Sequence, residues 1–339
     1  MKYNLLGNTG LKVSELCLGT MTFGAKGRFK DIGGVEQKDA DSLLKQALDK
    51  GVNFIDTANV YSEGISEEIT GKAIKNSGVS RKDLILATKV RGSMGEGVNQ
   101  KGLTRHHIIN QVEESLKRLD TDYIDLYQMH SHDPLTPIDE TLRAFDDLVR
   151  SGKVRYIGAS NVAAWQLMKA LDHSKFNHLE RFASLQAYYT IAGRDLEREI
   201  IPLLQDQKVG LMVWSPLAGG LLSGKYDRDD AKKSGGRRDD FDFPPVNKER
   251  AFNILDVLKP MAESKNASAA QLSIAWLLQQ AAVTSVIVGA KNADQLEQNL
   301  KASEIEFSKE ELEKLDEVSK LPAEYPGWML EFTSQDRQI

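Results

Sequence analysis

Four residues of this sequence carry side chains that together could exchange a proton with an oxygen atom. Asp56 and Tyr61 lie in GVNFIDTANVYSEGISEEITG, residues 51–71, while Lys89 and His130 follow later. We expect the Lys89 ammonium to lower the pKa of Tyr61 from its usual value near ~10, with Asp56 keeping Lys89 charged. His130 can then orient a substrate carbonyl oxygen. Because this set contains no redox centre, a reduction would also need a hydride from a cofactor.

A structural role is the alternative to this chemistry: Asp56 would cap a turn, and Tyr61 would pack at a rim. The pattern of the rest of the chain distinguishes the two interpretations. Apolar runs alternate with amphipathic helical patterns, as in a (β/α)8 TIM barrel, and 339 residues suit one such domain spanning 1–339. The opening KYNLLGNTGLKV is typical of a β-hairpin that plugs the barrel. The eight predicted strands are Leu16–Leu18, Val52–Asp56, Leu84–Lys89, Tyr123–Met129, Val154–Ala159, Phe182–Gln186, Leu211–Trp214 and Ser285–Val288.

Helix starts can be predicted from residues that cap the first free backbone N–H groups. Ser268 with Gln271, and Ser308 with Glu311, have the spacing of capping boxes. Ser66 is expected to cap the helix that follows Tyr61, and Thr136 the helix that carries Leu142 and Phe145. These helices would supply the outer layer of the barrel.

Two segments depart from the repeating pattern. Tyr226 to Asn247 is a polar insertion that we expect to form a solvated loop, close enough to the site to cover a cofactor. The tail, residues 321–339, is apolar but aperiodic, and contains Tyr325, Trp328, Met329 and Phe332. We therefore expect it to be a substrate-covering flap packed on the body rather than a helix.

Composition excludes several classes of protein. A net charge of -5 and a pI near 5.8 do not favour binding to nucleic acid or to an anionic membrane. Cys17 is the single cysteine, which rules out an internal disulfide and fits a reducing compartment. The chain has no apolar run of membrane-spanning length and no apolar leader at its start. These features predict a cytoplasmic protein with a small-molecule substrate, and they leave the oligomeric state open.

Four segments in the same order resemble the aldo-keto reductase family across nearly the whole chain. Residues 51–71 resemble its first signature, and TLRAFDDLVRSGKVRYIGASN, residues 141–161, its second. VWSPLAGGLLSGKY, residues 213–226, resembles the segment under the cofactor pyrophosphate, and VIVGAKNADQLEQNL, residues 286–300, the stretch at the adenosine. The resemblance implies NADPH-dependent reduction of aldehydes or ketones, with Tyr61 as general acid, Lys89 and Asp56 tuning it, and His130 orienting the substrate.

The resemblance also implies a set of cofactor-binding residues. Lys291 would pair with a 2′-phosphate and favour NADPH, with NADH as a weaker alternative, although an exposed lysine can occupy such a junction without any ligand. Trp214 would stack on the nicotinamide. The implied cofactor set is Gly19, Thr20, Met21, Asp56, Ser160, Asn161, Gln186, Trp214, Ser215, Pro216, Leu217, Gly219, Lys225, Gly289, Ala290, Lys291, Gln295, Gln298 and Asn299.

The substrate and two rival functions are less defined. Ser131 stands directly after His130, where many relatives have an aromatic residue, so the candidates Phe23, His132, Trp328 and Met329 are chosen by position alone. His130 and His132 could instead ligate a metal in a barrel hydrolase, although no metal is expected. A third interpretation is a non-catalytic relative that senses NADPH and regulates a partner.

Overall fold

The computed structural model of the protein describes residues 1–226, 228, 237–239 and 241–335. Eight parallel strands form a closed barrel in chain order, and an N-terminal antiparallel hairpin stands apart from it, which confirms the predicted fold class. The hairpin is β1 Tyr3–Leu5 and β2 Lys12–Ser14. The barrel strands are β3 Leu16–Gly19, β4 Phe54–Asp56, β5 Ile85–Val90, β6 Ile124–Met129, β7 Val154–Ser160, β8 Phe182–Tyr188, β9 Gly210–Trp214 and β10 Val283–Val288.

The inside of the barrel is filled by alternate side chains of its strands, because successive residues of a strand point to opposite faces. Phe54, Leu126 and Met212 belong to one buried apolar cluster. Leu6 and Val13 of the hairpin region join the same cluster, so the hairpin closes the N-terminal end of the barrel as predicted. The C-terminal ends of the strands are left for polar residues.

Helices cover the outside of the barrel with their apolar faces. In α4, for example, Leu142, Phe145 and Leu148 are buried against the strands, and burying such a side chain contributes about 1.5–3 kcal/mol. The helices are α1 Gln37–Asp49, α2 Ile65–Ser77, α3 Arg105–Leu119, α4 Ile138–Arg150, α5 Ala164–Phe176, α6 Ile200–Gln207, α7 Lys248–Ser264, α8 Ala269–Leu278, α9 Ala293–Leu300, α10 Lys309–Ser319 and α11 Gly327–Ser334.

Two of the four predicted caps are confirmed. Ser268 and Ser308 form capping boxes at α8 and α10. Ser66 lies inside the first turn of α2, and its hydroxyl donates to the buried carbonyl of Thr20 at 2.7 Å. Thr136 precedes the start of α4, and its hydroxyl donates to the Asp133 carboxylate at 2.7 Å. Both of the latter predictions were wrong because the helices begin elsewhere: Gly64 is the N-cap residue of α2, and Pro137 is that of α4.

The two irregular segments also differ from expectation. The tail forms helix α11, whose residues are all exposed, so the prediction of a packed, non-helical flap is wrong. It is held near the β8–α6 connection by Arg198, which contacts the Glu324 carboxylate at 3.0 Å. In the polar insertion, Arg238 and Pro244 are buried rather than solvated. The expectation for residues 227, 229–236 and 240 lies outside the described residues.

No helix in the described part of the chain is both long enough and apolar enough to cross a membrane.

Candidate active site

A layer of hydrogen-bonded polar side chains occupies the C-terminal end of the barrel interior. Asp56 ends β4, and its Oδ2 atom accepts from Lys89 Nζ of β5 at 2.5 Å. Its Oδ1 atom accepts from the amide of Gln128 at 3.0 Å and from that of Gln186 at 2.9 Å. All four side chains are buried. The carboxylate is therefore held on both oxygens and cannot rotate without breaking several hydrogen bonds.

Lys89 uses all three of its N–H groups within this layer. Besides Asp56, its ammonium donates to the Thr57 carbonyl at 2.8 Å and to Tyr61 Oη at 3.3 Å. Since an ammonium has no acceptor, the phenol oxygen must be the acceptor in the last of these bonds. The proton of Tyr61 therefore remains available to a different acceptor.

Tyr61 is held between Lys89 and His130 by a tight turn. It begins a 3₁₀ helix, Tyr61–Gly64, in which Ser62 and Glu63 adopt positive φ angles of 49° and 56°. The Tyr61 ring packs edge-on against Phe29, with centroids 5.3 Å apart. Its centroid lies 5.8 Å from that of the His130 ring, at an interplanar angle of 79°. These contacts fix the phenol at the mouth of the barrel.

Burial determines the protonation state of the two residues at the mouth. Burial raises the pKa of Tyr61 above its usual value, and the opposing effect of Lys89 is smaller. Our expectation of a lowered Tyr61 pKa is therefore wrong, because loss of solvation outweighs the effect of the nearby ammonium. Burial, followed by the charges of Lys89, Arg28 and Arg91, holds the pKa of His130 well below its usual range. Tyr61 thus keeps its proton near neutral pH, and His130 is neutral.

Lys89 remains charged despite its burial. Burial lowers the pKa of Lys89, but the Asp56 carboxylate and the Tyr61 phenol together raise it above the usual value. The buried pair of Lys89 and Asp56 thus places a permanent cation against the phenol oxygen.

Asn161, directly after β7, and Trp214, the last residue of β9, extend the site from His130. Asn161 has a positive φ of 50°, and its amide donates to the His130 carbonyl at 3.0 Å. The Trp214 indole donates to Asn161 Oδ1 at 3.0 Å. The Trp214 ring is stacked on Phe243, with centroids 5.9 Å apart and planes at 6°. One face of Trp214 therefore already has an aromatic neighbour within the protein.

An open trough lies over Gly289, where the ends of β3 and β10 meet. A Cβ atom added to Gly289 would meet a single atom within 4 Å, the Gly19 carbonyl oxygen at 3.7 Å. Thr20 is buried, and its hydroxyl donates to the Asp56 carbonyl at 3.3 Å, which ties the trough to the polar layer. Met21 packs beside the cluster that contains Tyr61. The trough thus has room for a ligand directly against backbone.

The segment after β9 is a tight turn with unusual backbone angles. Ser215, Gly219 and Gly220 all have positive φ angles, of 53°, 67° and 98°. The Ser215 hydroxyl accepts from Gly219 N at 2.9 Å. Arg238 donates to the carbonyls of Ala218 and Pro244, so it fastens the end of the insertion onto this turn. A side chain at Gly219 would collide with Phe243 O at 2.5 Å, which explains the glycine.

Two lysines close in sequence to this turn and to Gly289 are exposed. Lys225 and Lys291 form no ion pair with any residue that the structure describes. Around Lys291, its backbone N–H donates to Gln295 Oε1 at 2.9 Å, and the Asn299 amide donates to the Gly289 carbonyl at 3.2 Å. Gln298 is exposed on the same helix, α9. Both ammonium groups are therefore free to meet an anionic ligand.

Comparison with known proteins identifies the family of this chain. The sequence profile of the Aldo/keto reductase family matches residues 15–320. The chain belongs to this family. An oxidoreductase of Bacillus subtilis (strain 168), described as uncharacterized, is 39% identical and aligns over 94% of this chain and 96% of its own. The versiconal hemiacetal acetate reductase of Aspergillus parasiticus is 34% identical, over 96% and 99%. A probable voltage-gated potassium channel subunit beta of Arabidopsis thaliana is 37% identical, over 90% and 92%.

Membership of the aldo/keto reductase family supports an oxidoreductase that acts on small carbonyl compounds with a nicotinamide cofactor. The residues present fit such a cofactor. The backbone at Gly289 leaves space that a Cβ would fill, and the unpaired Lys225 and Lys291 suit phosphates. Ser160, Asn161 and Gln186 bring amide and hydroxyl groups to the same end of the barrel.

The structure places the substrate candidates in three different environments. Phe23 is buried in the core formed with the helices, so it offers no surface to a substrate. His132 lines a cavity of about 310 Å³ together with Trp165 and Phe182, and its carbonyl accepts from Arg91 Nε at 3.2 Å. Trp328 and Met329 lie on the exposed helix α11. In the described part of the chain, the ring contact of Trp328 is with Tyr325, at 6.0 Å.

The metal interpretation finds no support in the described residues, where no three His, Cys, Asp or Glu side chains come together as a metal site would require.

Sequence reasoning also missed residues that the structure brings to the site. Gln128 is the clearest, because it pairs in register with Lys89 and lies two residues after interior Leu126. That alternation was a usable signal. Phe243, Arg28 and Arg91 gave none, since they lie in connecting segments.

Proposed function

We propose that this protein reduces aldehydes and ketones to alcohols with NADPH, with Tyr61 as the proton donor. The observation that carries this proposal is the bond from Lys89 Nζ to Tyr61 Oη, in a layer where Asp56 holds Lys89. Because the phenol oxygen accepts from Lys89, its own proton points to another acceptor. A substrate carbonyl oxygen beside His130 is such an acceptor.

The chain's own residues account for the proton in this reaction. When bound, the nicotinamide cofactor supplies a hydride for the carbonyl carbon. Tyr61 gives its proton to the carbonyl oxygen, and the phenolate that results is stabilised by the Lys89 ammonium, 3.3 Å from Oη. Neutral His130 donates an N–H to the same carbonyl oxygen and so fixes its direction. Asp56 keeps Lys89 charged throughout. The reverse oxidation uses the same groups.

The choice of NADPH over NADH is assigned to Lys291, with Lys225 near the pyrophosphate. Lys291→Glu should weaken NADPH binding roughly 10- to 100-fold while changing NADH binding by less than about threefold, because only NADPH carries the 2′-phosphate. Fluorescence titration of each cofactor measures this difference. Lys309→Glu, on the exposed helix α10, is the matched charge-reversal control. Equal losses for both cofactors in Lys291→Glu would refute the assignment.

The decisive experiment compares wild type with Tyr61→Phe, following NADPH absorbance with aromatic aldehydes, dicarbonyls and ketones. Removing the proton donor should lower kcat/KM by about 10²–10⁴-fold, while NADPH affinity stays within twofold. Phenylalanine keeps the ring contacts with Phe29 and His130, so unfolding temperature serves as the control for structure. Undiminished turnover in Tyr61→Phe would exclude Tyr61 as the donor.

A second candidate function is regulation of a partner by bound NADPH. It is favoured by relatives whose names are those of channel subunits, such as the protein from Arabidopsis thaliana. The same assay separates the two proposals. Tight NADPH binding with no turnover of any carbonyl would favour regulation, and rapid turnover that depends on Tyr61 would favour the reductase.

A further inference from the structure

An arginine outside the catalytic set lies at the mouth of the barrel on the Tyr61 side. Arg28 belongs to the 3₁₀ helix Gly27–Phe29, and its Cζ atom lies 4.9 Å from the centroid of the Phe29 ring. Phe29 is itself in edge contact with Tyr61. The Arg28 guanidinium is exposed and forms no hydrogen bond or ion pair with any described residue. Its N–H groups are therefore available to a ligand that reaches Tyr61.

A second arginine lies at the same mouth on the His130 side. Arg91 directly follows β5, two residues after Lys89, and its Nε donates to the His132 carbonyl at 3.2 Å. Its φ angle of 148° is one that residues with a side chain rarely adopt, and such strain is concentrated at functional sites. The two terminal nitrogens of Arg91 have no partner among the described residues. The backbone contact thus holds the Arg91 side chain in place and leaves its two terminal nitrogens available to a ligand.

Neither arginine forms an ion pair with a carboxylate in the described part of the chain, although Asp133 attracts Arg91 at longer range. Glu63 is paired with Lys26 at 3.0 Å. The Asp133 carboxylate accepts from Leu103 N, Leu135 N and Thr136 Oγ1, at 2.7, 3.1 and 2.7 Å. Both Arg28 and Arg91 help to hold the pKa of His130 low, as two cations close to the imidazole would. Two guanidinium groups without ion-pair partners are therefore left at the entrance to Tyr61 and His130.

We propose that the substrate of this protein is a carbonyl compound that also carries an anionic group, a carboxylate or a phosphate, and that Arg28 and Arg91 bind this group while the carbonyl oxygen faces Tyr61 and His130. The guanidinium fork matches both anions, because its N–H groups can donate in pairs to two oxygens. Phe29 and the Tyr61 ring supply an apolar wall between the anion and the reacting carbonyl. This inference rests on the proposed reductase function and adds the class of substrate.

The test compares three aldehydes of similar shape: 4-formylbenzoate, 4-formylphenyl phosphate and the neutral methyl 4-formylbenzoate. For each enzyme, the ratio of kcat/KM for a charged aldehyde to that for the neutral ester is measured. Wild type should favour at least one anion. Arg28→Gln and Arg91→Gln should each lower that ratio by roughly 3- to 10-fold, and raised salt should lower it too. Arg143→Gln, on the exposed surface of α4, is the matched control.

The outcomes separate this inference from the function beneath it. Wild-type ratios of one or less, or ratios unchanged in both arginine variants, would overturn the anion subsite, while turnover of the neutral ester would leave the reductase proposal intact. Reduction of no aldehyde at all would overturn both. A larger loss with the carboxylate than with the phosphate, or the reverse, identifies which anion the two arginines fit.

Discussion

The two ends of the barrel interior are built from the same strands and from opposite kinds of side chain. The N-terminal end is filled by Phe54, Leu126 and Met212 and closed by Leu6 of the hairpin region. Two residues further along β4 and β6, at about 6–7 Å, stand Asp56 and Gln128. The same strands therefore contribute apolar side chains to one end and polar side chains to the other, two residues apart along the chain.

The difference has an energetic meaning. The apolar end is stabilised by burial of hydrocarbon, which needs no particular orientation. The polar end contains a buried ion pair whose loss of solvation offsets much of its attraction, so it contributes little to stability overall. What the polar end provides is position: Lys89 donates to three fixed acceptors, and Asp56 accepts on both oxygens. Because the two ends are separate, burial of hydrocarbon at the apolar end can offset the loss of solvation at the polar end.

The largest predicted effect comes from breaking the polar end with Lys89→Met. Activity should fall by about 10²–10⁴-fold, because the phenolate of Tyr61 loses its cation, and stability should fall by about 3–5 kcal/mol, because Asp56 stays buried and unpaired. Urea unfolding and steady-state kinetics measure the two effects. The double variant Asp56→Asn/Lys89→Met should recover most of the stability and none of the activity. Recovery of both would contradict the division of roles.

The next effect comes from the apolar end. Leu6→Ala removes a fully buried side chain of the plug and should cost about 2–5 kcal/mol of unfolding free energy. At temperatures where the variant is folded, kcat and KM should stay within twofold of wild type, because Leu6 is far from the polar layer. A change of more than tenfold in kcat without unfolding would show that the two ends are coupled.

The smallest effect concerns pH. The pKa of His130 is lowered in the folded protein, so the unfolded chain binds a proton at this residue first, and stability should fall as the pH drops below about 6.5. His130→Gln should remove part of this decline, whereas Leu6→Ala should keep it. Urea unfolding between pH 5.5 and 8 measures the slope. Parallel slopes in wild type and His130→Gln would mean that other groups cause the decline.

Much of the barrel and part of the site could be predicted from local patterns. Apolar runs marked all eight barrel strands because strands covered on both faces need hydrocarbon on both. Ser268 and Ser308 marked helix starts because their partners lie three residues away in sequence. Asp56 and Lys89 stood out as polar residues at the ends of such runs, and the structure brings them into contact.

The remaining features depend on distant parts of the chain. Strand alternation marks Gln128 as interior, but its partners Asp56 and Gln186 lie on β4 and β8, and Phe243 reaches Trp214 from an irregular segment. The Tyr61 pKa is raised because burial by many residues outweighs one ammonium. By itself, the sequence determined which residues lie on strands and at their ends, since that depends on neighbours along the chain. The tertiary structure decided their partners, solvation and charge state, since these depend on residues that meet only after folding.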